Sequence, residues 1–584
     1  MKNNMKKLSL VIAAVLAVAC GQKLRDGEYT LTVLSTNDMH GTFFDSTYAG
    51  GGIKRSLYAM NHYIDSVRAE QGRDNVLLID AGDCLQGDEA AYYFNFVDTV
   101  STHVFSRMVD YMDYDAVAVG NHDIETGHPV YDRVAADLKK AGIPLLGGNV
   151  IRESDGQPYF PLYTVVRRAG LKIAVIGYGN ANIKGWLPEE LWSGMSFELV
   201  RDIVQRDVDA VKAKEHPDVV VVAMHSGTGK GDGSSPESES LDIFNSVKGV
   251  DFILCGHDHR PYVEARDSSA LLNSGSHSRY VAEGKMHFKV EGGKIVSRAF
   301  ETRLIPVKAE MADPAMREKF HDDFQAVKDF TMAEVGTLDV TVRTREAFAG
   351  MSPYIDLMQY LSLESTGADI AFAAPLTYNK VIEAGPIIFD DLFKFYPYEN
   401  QLYVITMSGE EIVRYLEFSY DMWINTVKSS REHVLKIEQR DDPRTQQRGW
   451  SFPGRTYNFS SAGGINYVVD VTKPAGERVK ISTMADGTPF DHARTYKVAV
   501  TSYRASGGGG HLKAAGIDTG NINERVVARY PEIRTILYNY LKQNGSIELA
   551  RISDPAVIGS WSFVPENIAR PAIDHDMKLV FGEK

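Results

Sequence analysis

Short apolar runs alternate with segments of helical periodicity over the first half of the chain. Residues 56–70 and 131–141 carry apolar side chains at the three- and four-residue spacing of an amphipathic helix. Runs rich in β-branched residues lie between such segments and predict buried strands. These runs cover residues 30–34, 76–79, 116–119, 172–176, 219–223 and 252–254. The alternation predicts an α/β domain over residues 29–305, with a substantial sheet flanked by helices.

The pattern changes after residue 305. Residues 306–335 are highly charged and predict a helical connector, because five apolar residues are spaced for one helix face. These five are Met311, Met316, Phe320, Phe324 and Val327.

A second pattern of mixed helix and strand segments follows over residues 336–545 and predicts another domain. Helices are expected at 354–362 and 409–420, and strands at 403–407 and 496–501. Residues 546–584 hold Trp561 and Phe563 among polar segments. We expect them to form a tail that packs back onto the fold.

The N-terminus has the layout of an export signal, with a basic stretch at 1–7 and an apolar run at 8–19. That run is too short to span a bilayer comfortably. Residues 16–20, LAVAC, look like a bacterial lipobox, which predicts an exported periplasmic or cell-surface protein anchored to the membrane through a lipid on Cys20. A plain signal peptide (residues 1–20) with an incidental cysteine is the alternative, since Ala17 stands where such boxes usually carry Leu.

Composition narrows the possible partners. The 584 residues carry a net charge of -14, which opposes tight binding to long nucleic acids because their phosphates are gripped by clustered Lys and Arg. A small anionic substrate is compatible with this charge if metal ions neutralise it locally. Cys84 and Cys255 lie in apolar runs and are expected to be core residues rather than a disulfide.

Polar residues follow five of the predicted strands directly. In open α/β sheets, ligands collect beyond the carboxyl ends of the strands, so these turns are expected to converge on one crevice. The residues are Asp38, His40, Asp83, Asn121, His225, His257 and His259.

The residue types in this set indicate a metal centre. Imidazole and carboxylate suit Zn, Mn, Fe or Co rather than Ca, and the set is larger than one tetrahedral ion needs. Two divalent ions are therefore expected. A carboxylate such as Asp83 can bridge a pair ~3.5–4 Å apart, and such a pair makes hydroxide available near neutral pH for phosphate-ester hydrolysis.

The motifs DMHG, GDCLQG, GNHD, MHSG and GHDH, in this order, resemble those of the calcineurin-like metallophosphoesterases, specifically their 5'-nucleotidase branch. The resemblance covers residues 29–305 and implies a layered α/β/β/α catalytic domain. It implies that one ion is held by Asp38, His40 and His259, and the other by Asn121, His225 and His257, with Asp83 bridging.

The resemblance places His122 outside the ligand set, facing the phosphoryl group, where it stabilises charge or protonates the leaving oxygen. Members of this branch usually place an Asp to orient that imidazole, where this chain offers Glu125, with Asp123 as the other candidate. Either carboxylate could instead cap the turn into the next helix. His277 belongs to no motif, but its Gly/Ser-rich turn is a candidate neighbour of the site.

The C-terminal half resembles the α+β 5'-nucleotidase C-terminal domain, which implies a nucleoside pocket that closes over the metal site. Two segments carry the resemblance, YNF at 457–459 before a Gly-Gly turn and YRAS at 503–506 before four glycines. Aromatic side chains beside such turns can stack on a base. We assign the base clamp to Tyr503 with Tyr457 or Phe459, although a Tyr near four glycines is, by itself, more often a packed strand end.

Two departures bear on the substrate. 5'-nucleotidases usually show NGGGIR where this chain has AAPLTY at 373–378, and an Asp where it has Gly509. AAPL, PYEN at 397–400, YNF and YRASGGGG are together similar to the periplasmic 2',3'-cyclic-nucleotide 2'-phosphodiesterase/3'-nucleotidases. The expected activity is therefore hydrolysis of 2',3'-cyclic nucleotides and 3'-nucleotides. The alternatives are a 5'-nucleotidase or UDP-sugar hydrolase, a catalytically silent nucleotide-binding surface lipoprotein, and a phosphoesterase without nucleoside preference.

Overall fold

The first half of the chain folds into two six-stranded sheets, in a computed structural model that describes residues 25–187, 189–398, 400–441 and 448–582. The predicted signal peptide and Cys20 lie outside these residues. The strands of the first sheet, in spatial order, are Lys294–Pro306, Tyr280–Glu291, Gly27–Thr36, Val76–Asp80, Ala116–Ala118 and Leu145–Leu146. Those of the second are Tyr262–Ala265, Ala270–Asn273, Phe252–Cys255, Val219–Met224, Leu171–Tyr178 and Tyr163–Arg168.

The two sheets pack face to face through apolar side chains. Leu77 and Ile79 of the first sheet share one core cluster with Val221 and Leu254 of the second. All five residues of Val76–Asp80 are buried, because the opposite face of the strand is covered by helices. Every strand run predicted in this half of the chain coincides with an observed strand.

Helices cover both outer faces, which completes the predicted α/β/β/α layering. Leu57–Gln71 packs on the first sheet, and Val200–Glu215 and Ser240–Ser246 pack on the second. The other helices of this half are Glu89–Tyr92, Val104–Tyr111, Asn121–Ile124, His128–Ala141 and Ile183–Trp186, with a π-helical turn at Tyr93–Val97 and a small hairpin of Val150–Arg152 with Met195–Phe197.

Parallel pairing aligns the strand ends that carry the predicted ligands. Thr36 pairs with Asp80, and Asp80 pairs with Val117, so the three following loops leave the first sheet at one edge. In the second sheet, Val219–Met224 and Phe252–Cys255 are likewise parallel and end next to each other. The pairing therefore collects the motif loops of each sheet at one end.

The connector is helical as predicted but is interrupted. It contains Pro314–Lys319 and His321–Thr331, separated at Phe320. Met316, Phe320 and Val327 are buried, as expected for one apolar face. The expectation for Met311 is wrong: it lies in a short turn before the helix that Pro314 begins, and it is 37% exposed.

Within the described residues the chain divides into two units, the second made mainly of residues from Lys328 onward. Its central sheet consists, in spatial order, of Ser461–Gly463, Ile370–Ala373, Thr495–Thr501, Gln401–Ser408 and Val526–Glu532. The other strands are Glu334–Leu338, Val342–Arg343, Val381–Ile382, Gly385–Ile388, Glu438–Asp441, Arg448–Ser451, Ile465–Asp470, Val479–Met484, Ser546–Ile547 and Gly559–Val564. The helices are Pro353–Thr366, Phe389–Phe395, Gly409–Trp423, Ser502–Ala505, His511–Ala514, Ile533–Asn544, Leu549–Ile552, Pro555–Ile558 and Glu566–Phe581.

The predicted tail packs back as expected and is an integral part of the second unit. Gly559–Val564 pairs in parallel with Ile465–Asp470. Trp561 stacks on Tyr467, with ring centroids 5.7 Å apart and planes at 9°. Cys84 and Cys255 are buried and unpaired, as expected of core residues. None of the helices in the described part of the chain is long and apolar enough to cross a membrane.

Replacing Trp561 by Ala should lower the free energy of unfolding by ~3–5 kcal/mol, because a large buried ring leaves a cavity. Urea denaturation followed by tyrosine and tryptophan fluorescence measures this change. Val557→Ala is the control, since Val557 lies nearby in the chain and is 38% exposed. Equal stabilities of the two variants would contradict the integral role of the C-terminal strand.

Candidate metal centre

The loops after the strands bring three of the predicted ligands together as a first cluster, Asp38, His40 and His259. The Nε2 atoms of His40 and His259 are 2.9 Å apart, and Nε2 of His259 lies 3.3 Å from Oδ1 of Asp38. Both Asp38 and His40 are buried, whereas His259 is partly exposed. The ligand atoms point at a common position, as a bound cation requires.

A second cluster contains Asp83, His225 and His257. Nε2 of His225 lies 3.0 Å from Oδ2 of Asp83, and Nδ1 of His257 lies 3.0 Å from Oδ1 of Asn121. The structure therefore brings together the same residues that the motifs assign to the second ion.

Three buried atoms of these clusters test whether the site suits metal ions. Within the described residues, Asp38 Oδ1, Asp83 Oδ2 and His225 Nε2 make no hydrogen bond. His225 Nε2 and Asp83 Oδ2 approach closely but without hydrogen-bond geometry. Buried polar atoms without partners are costly, and two carboxylates with an imidazole are typical ligands of Zn, Mn or Fe. The donor set fits divalent metal ions.

Hydrogen bonds on the far side of the rings orient two of the imidazoles. Nδ1 of His225 lies 2.8 Å from the carbonyl oxygen of Ala81, and Nδ1 of His40 lies 3.1 Å from Oε1 of Gln86. Each Nδ1 therefore donates its proton to an oxygen, which leaves the Nε2 lone pair for a metal ion.

The backbone of the site is held in a left-handed conformation at non-glycine residues. Such residues cost free energy and are held in place only by surrounding contacts, which is typical of functional sites. They are Asp38 (φ 49°), His40 (φ 48°), Asp83 (φ 62°), His257 (φ 76°), His259 (φ 57°) and His277 (φ 53°).

Burial and neighbouring charges shift the pKa values of three of these histidines in opposite directions. Burial lowers the pKa of His40 and of His257 to about 3. Burial alone would also lower the pKa of His225, but Asp83, the charge of Asp38 and the carbonyl of Ala81 together outweigh burial and raise the pKa to about 9. The same pairing with His225 holds the pKa of Asp83 below its usual range despite burial.

Glu125 and Asp123 occupy different environments, which separates the two candidate partners of His122. Nδ1 of His122 lies 2.5 Å from Oε2 of Glu125. Asp123 is buried and accepts the backbone N–H groups of Gly120, Asp83, Cys84 and Leu85 at 2.7–3.0 Å. Glu125 therefore contacts the imidazole, whereas Asp123 fixes the loop that carries Asp83. The backbone N–H of His122 itself donates to Oδ1 of Asp83 at 2.8 Å.

Two residues of the site carried no assignment from the motifs. The side chain of Asn37 donates to Asp38 Oδ2 at 2.6 Å and to the carbonyl of Gly275 at 2.7 Å, so it ties two loops together. His277 stacks beside His40, with ring centroids 5.1 Å apart, and its backbone N–H donates to the carbonyl of Asp38. The position of Asn37 directly before DMHG was the available signal for it; the Gly/Ser-rich turn was the signal for His277.

The second unit contains an aromatic pocket with a volume of about 340 Å³, within the range of small-molecule sites. Tyr457 and Tyr503 line it, and their rings meet edge to face at 6.0 Å. Phe459 does not suit the predicted clamp: it is 1% exposed and stacks on Trp423 in the core, with centroids 5.4 Å apart. Its assignment as a base contact is wrong because the ring is packed in the core against Trp423 and does not line the pocket.

The affinity of the second cluster for Zn²⁺ should increase about tenfold per pH unit between pH 6 and pH 8 and level off above about pH 9. His225 holds a proton below its raised pKa, and a metal ion must displace that proton. His40 and His257 are already neutral in this range. Chelator competition at several pH values measures the slope. His225→Asn should weaken binding and remove this slope; a pH-independent affinity in the unchanged protein would contradict the assignment.

Comparisons with known proteins agree with this geometry. A family model described as calcineurin-like phosphoesterase matches residues 31–261, and one described as 5'-nucleotidase, C-terminal domain, matches residues 334–516. The trifunctional nucleotide phosphoesterase protein YfkN of Bacillus subtilis is 22% identical over 92% of this chain, but the chain spans only 39% of that protein.

Two further relatives match over most of their length. The 2',3'-cyclic-nucleotide 2'-phosphodiesterase/3'-nucleotidase of Haemophilus influenzae is 25% identical, covering 92% of this chain and 87% of that protein. The crystal structure of a putative 5'-nucleotidase from Staphylococcus aureus has a TM-score of 0.71 at 22% identity, covering 92% of this chain and 100% of that one. The chain therefore belongs to the calcineurin-like phosphoesterases that carry a 5'-nucleotidase C-terminal domain, and it is a metal-dependent phosphoester hydrolase.

Proposed function

We propose that this protein hydrolyses nucleotide phosphoesters, with 2',3'-cyclic nucleotides and 3'-nucleotides as its preferred substrates. The main observation in support of hydrolysis is that two clusters of metal-ligating residues lie beside His122.

Two divalent ions held by the two ligand clusters would supply an activated water and neutralise the phosphoryl oxygens. Side chains of the protein provide the proton transfer. Glu125 holds Nδ1 of His122, so that the other ring nitrogen is directed away from the carboxylate, and the ring is 34% exposed. From this position His122 donates a proton to the leaving oxygen, and the negative charge of Glu125 stabilises the protonated ring.

The aromatic pocket of the second unit is the proposed nucleoside site. Tyr398 and Tyr503 are among its more exposed lining residues, whereas Phe372 and Tyr415 are buried. Stacking on aromatic rings tolerates every base and contributes ~1–3 kcal/mol per base. Tyr457 and Tyr503 now meet edge to face, so a base that enters between them requires one ring to rotate.

Two features of this pocket favour the cyclic-nucleotide branch over the 5'-nucleotidases. Ala373 lines it where 5'-nucleotidases usually carry Asn, and Ala374 and Leu376 add further apolar surface. Gly509 has φ 72°, and a Cβ there would lie 2.2 Å from Arg504 Nη1 and 2.4 Å from Asn458 Oδ1. An Asp at this position would therefore collide with a contact that this chain makes.

We further propose that the protein is exported to the periplasm or cell surface and anchored through a lipid on Cys20. The basic stretch, the apolar run and the lipobox-like LAVAC support this location. A hydrolase at the cell surface would meet nucleotides outside the cytoplasm, where phosphate and nucleoside can be recovered from them.

The substrate assignment predicts that initial rates follow the order 2',3'-cyclic AMP, then 3'-AMP, then 5'-AMP and UDP-glucose. Release of nucleotide and phosphate by purified, metal-loaded protein measures these rates. Dominant turnover of 5'-AMP or UDP-glucose would reject this branch in favour of a 5'-nucleotidase or sugar-nucleotide hydrolase. Inertness toward all four substrates, with retained adenosine binding in calorimetry, would indicate a silent binding protein.

The division of roles predicts different effects for two variants. Asp83→Ala should abolish turnover and metal loading together, because it removes a buried carboxylate from the second cluster. His122→Ala should keep both metals and lower kcat by about 10²–10⁴-fold, the usual contribution of a general acid. Metal content by mass spectrometry and steady-state kinetics distinguish the variants. Loss of a metal from His122→Ala would show that this residue is a ligand.

A further inference from the structure

A buried arginine joins the two loops that carry the tyrosines of the aromatic pocket. Arg504 is 5% exposed and follows Tyr503 in the chain. Its Nη2 donates to the carbonyl of Tyr457 at 2.7 Å, and its Nη1 donates to Oδ1 of Asn458 at 2.9 Å. Nη1 also donates to the carbonyl of Gly508 at 3.0 Å. One guanidinium therefore bonds both the loop of Tyr457 and the glycine turn after Tyr503.

The glycine turn is shaped around this guanidinium. Gly507, Gly509 and Gly510 have φ values of 94°, 72° and 77°, which side chains rarely adopt. A side chain at Gly509 would occupy the space of the bond between Arg504 and Asn458. The glycines thus permit the close approach that lets one side chain reach both loops.

The same guanidinium contacts the ring of Tyr503, with its central carbon 5.3 Å from the ring centroid. Its contact with Tyr457 is through the backbone only. The backbone of each loop is fixed, whereas the Tyr503 ring is 37% exposed. This combination allows a ring to rotate for a base while the spacing of the two loops is kept.

We propose that Arg504 is the positioning residue that sets the two tyrosine-bearing loops at the spacing needed to bind a nucleobase. This inference rests on the proposed nucleoside site. Arginine suits the task because its planar fork donates several hydrogen bonds in fixed directions, whereas lysine offers one charge on a flexible stem. Arg504 also lines the pocket, and the role that we assign to it is exerted through Tyr457 and Tyr503. It belongs to a different part of the chain from the metal ligands.

The test compares Arg504→Lys with the unchanged, metal-loaded protein on two substrates. With 2',3'-cyclic AMP, KM should rise about tenfold, equivalent to about 1.4 kcal/mol of binding, with kcat within about twofold. With bis(p-nitrophenyl) phosphate, which has no nucleoside, both constants should stay unchanged. An unchanged KM for 2',3'-cyclic AMP, or equal losses on both substrates, would overturn the positioning role.

Asn458→Ala is a second variant that leaves Arg504 in place and removes one of its acceptors. It should raise the same KM by a smaller factor, so the proposal stays testable if Arg504→Lys folds poorly. Arg478→Lys is the matched control. Arg478 is 4% exposed and donates to the carbonyls of Lys473, Tyr420 and Ile424, away from the pocket residues. A rise in KM with this control as large as with Arg504→Lys would overturn the proposal.

Calorimetry with adenosine separates this inference from the proposed function. The unchanged protein should bind adenosine, and Arg504→Lys should bind it about tenfold more weakly. Equal affinities would overturn the role of Arg504 alone. A protein that neither binds adenosine nor hydrolyses nucleotides would overturn the nucleoside site and, with it, the role of Arg504.

Discussion

The catalytic domain depends on one constraint, which is that acidic and imidazole side chains are buried with some of their polar atoms left without a hydrogen bond. Asp38 and Asp83 are almost fully buried, yet each keeps one oxygen without a hydrogen bond among the described residues. Such groups are tolerated when a cation completes them, and the free energy of ion binding then becomes part of the free energy of folding. The surrounding side chains fix the ligands in place. Asp123 accepts the backbone N–H groups of Asp83 and Cys84, Asn37 ties the carboxylate of Asp38 to the loop of Gly275, and Gln86 orients the ring of His40.

The nucleoside site that we propose in the second unit has different requirements, because a base is flat and weakly polar and its edges vary. A pocket of tyrosines gives affinity without reading a particular edge. The residues that line such a pocket belong to separate loops, and the spacing of these loops must be fixed by contacts between them. Arg504 lies where one side chain can reach both loops, and the glycines beside it remove the atoms that would block this contact. Under the proposed function, metal binding therefore relies on charged and imidazole side chains in one unit, and base binding relies on aromatic and apolar surface in the other.

Much of this arrangement could be predicted from the sequence, and the exceptions have physical reasons. Buried parallel strands are continuous apolar runs, so polar residues directly after them stand out, and the ligand set follows from that pattern. Phe459 was misassigned because YNF does not show which ring turns inward; its partner, Trp423, is on a distant helix. The left-handed backbone at Asp38 and His259 has no sequence signal, since neither is glycine. By contrast, Asp313 and Pro314 form a usual helix start, so the sequence does contain a signal that the connector helix begins after Met311.

The C-terminal strand has a consequence for the order of folding. All strands of the two catalytic sheets precede Val307, so that domain can be complete while much of the chain is still being synthesised. The aromatic core of the second unit instead needs Trp561 and Phe563, which are synthesised long after the catalytic sheets. Until Gly559–Val564 joins Ile465–Asp470, the rings of Tyr420 and Tyr467 lack their final neighbour. The catalytic sheets can thus form before the second unit is complete, and a chain that stops before Gly559 lacks a structural strand of that unit.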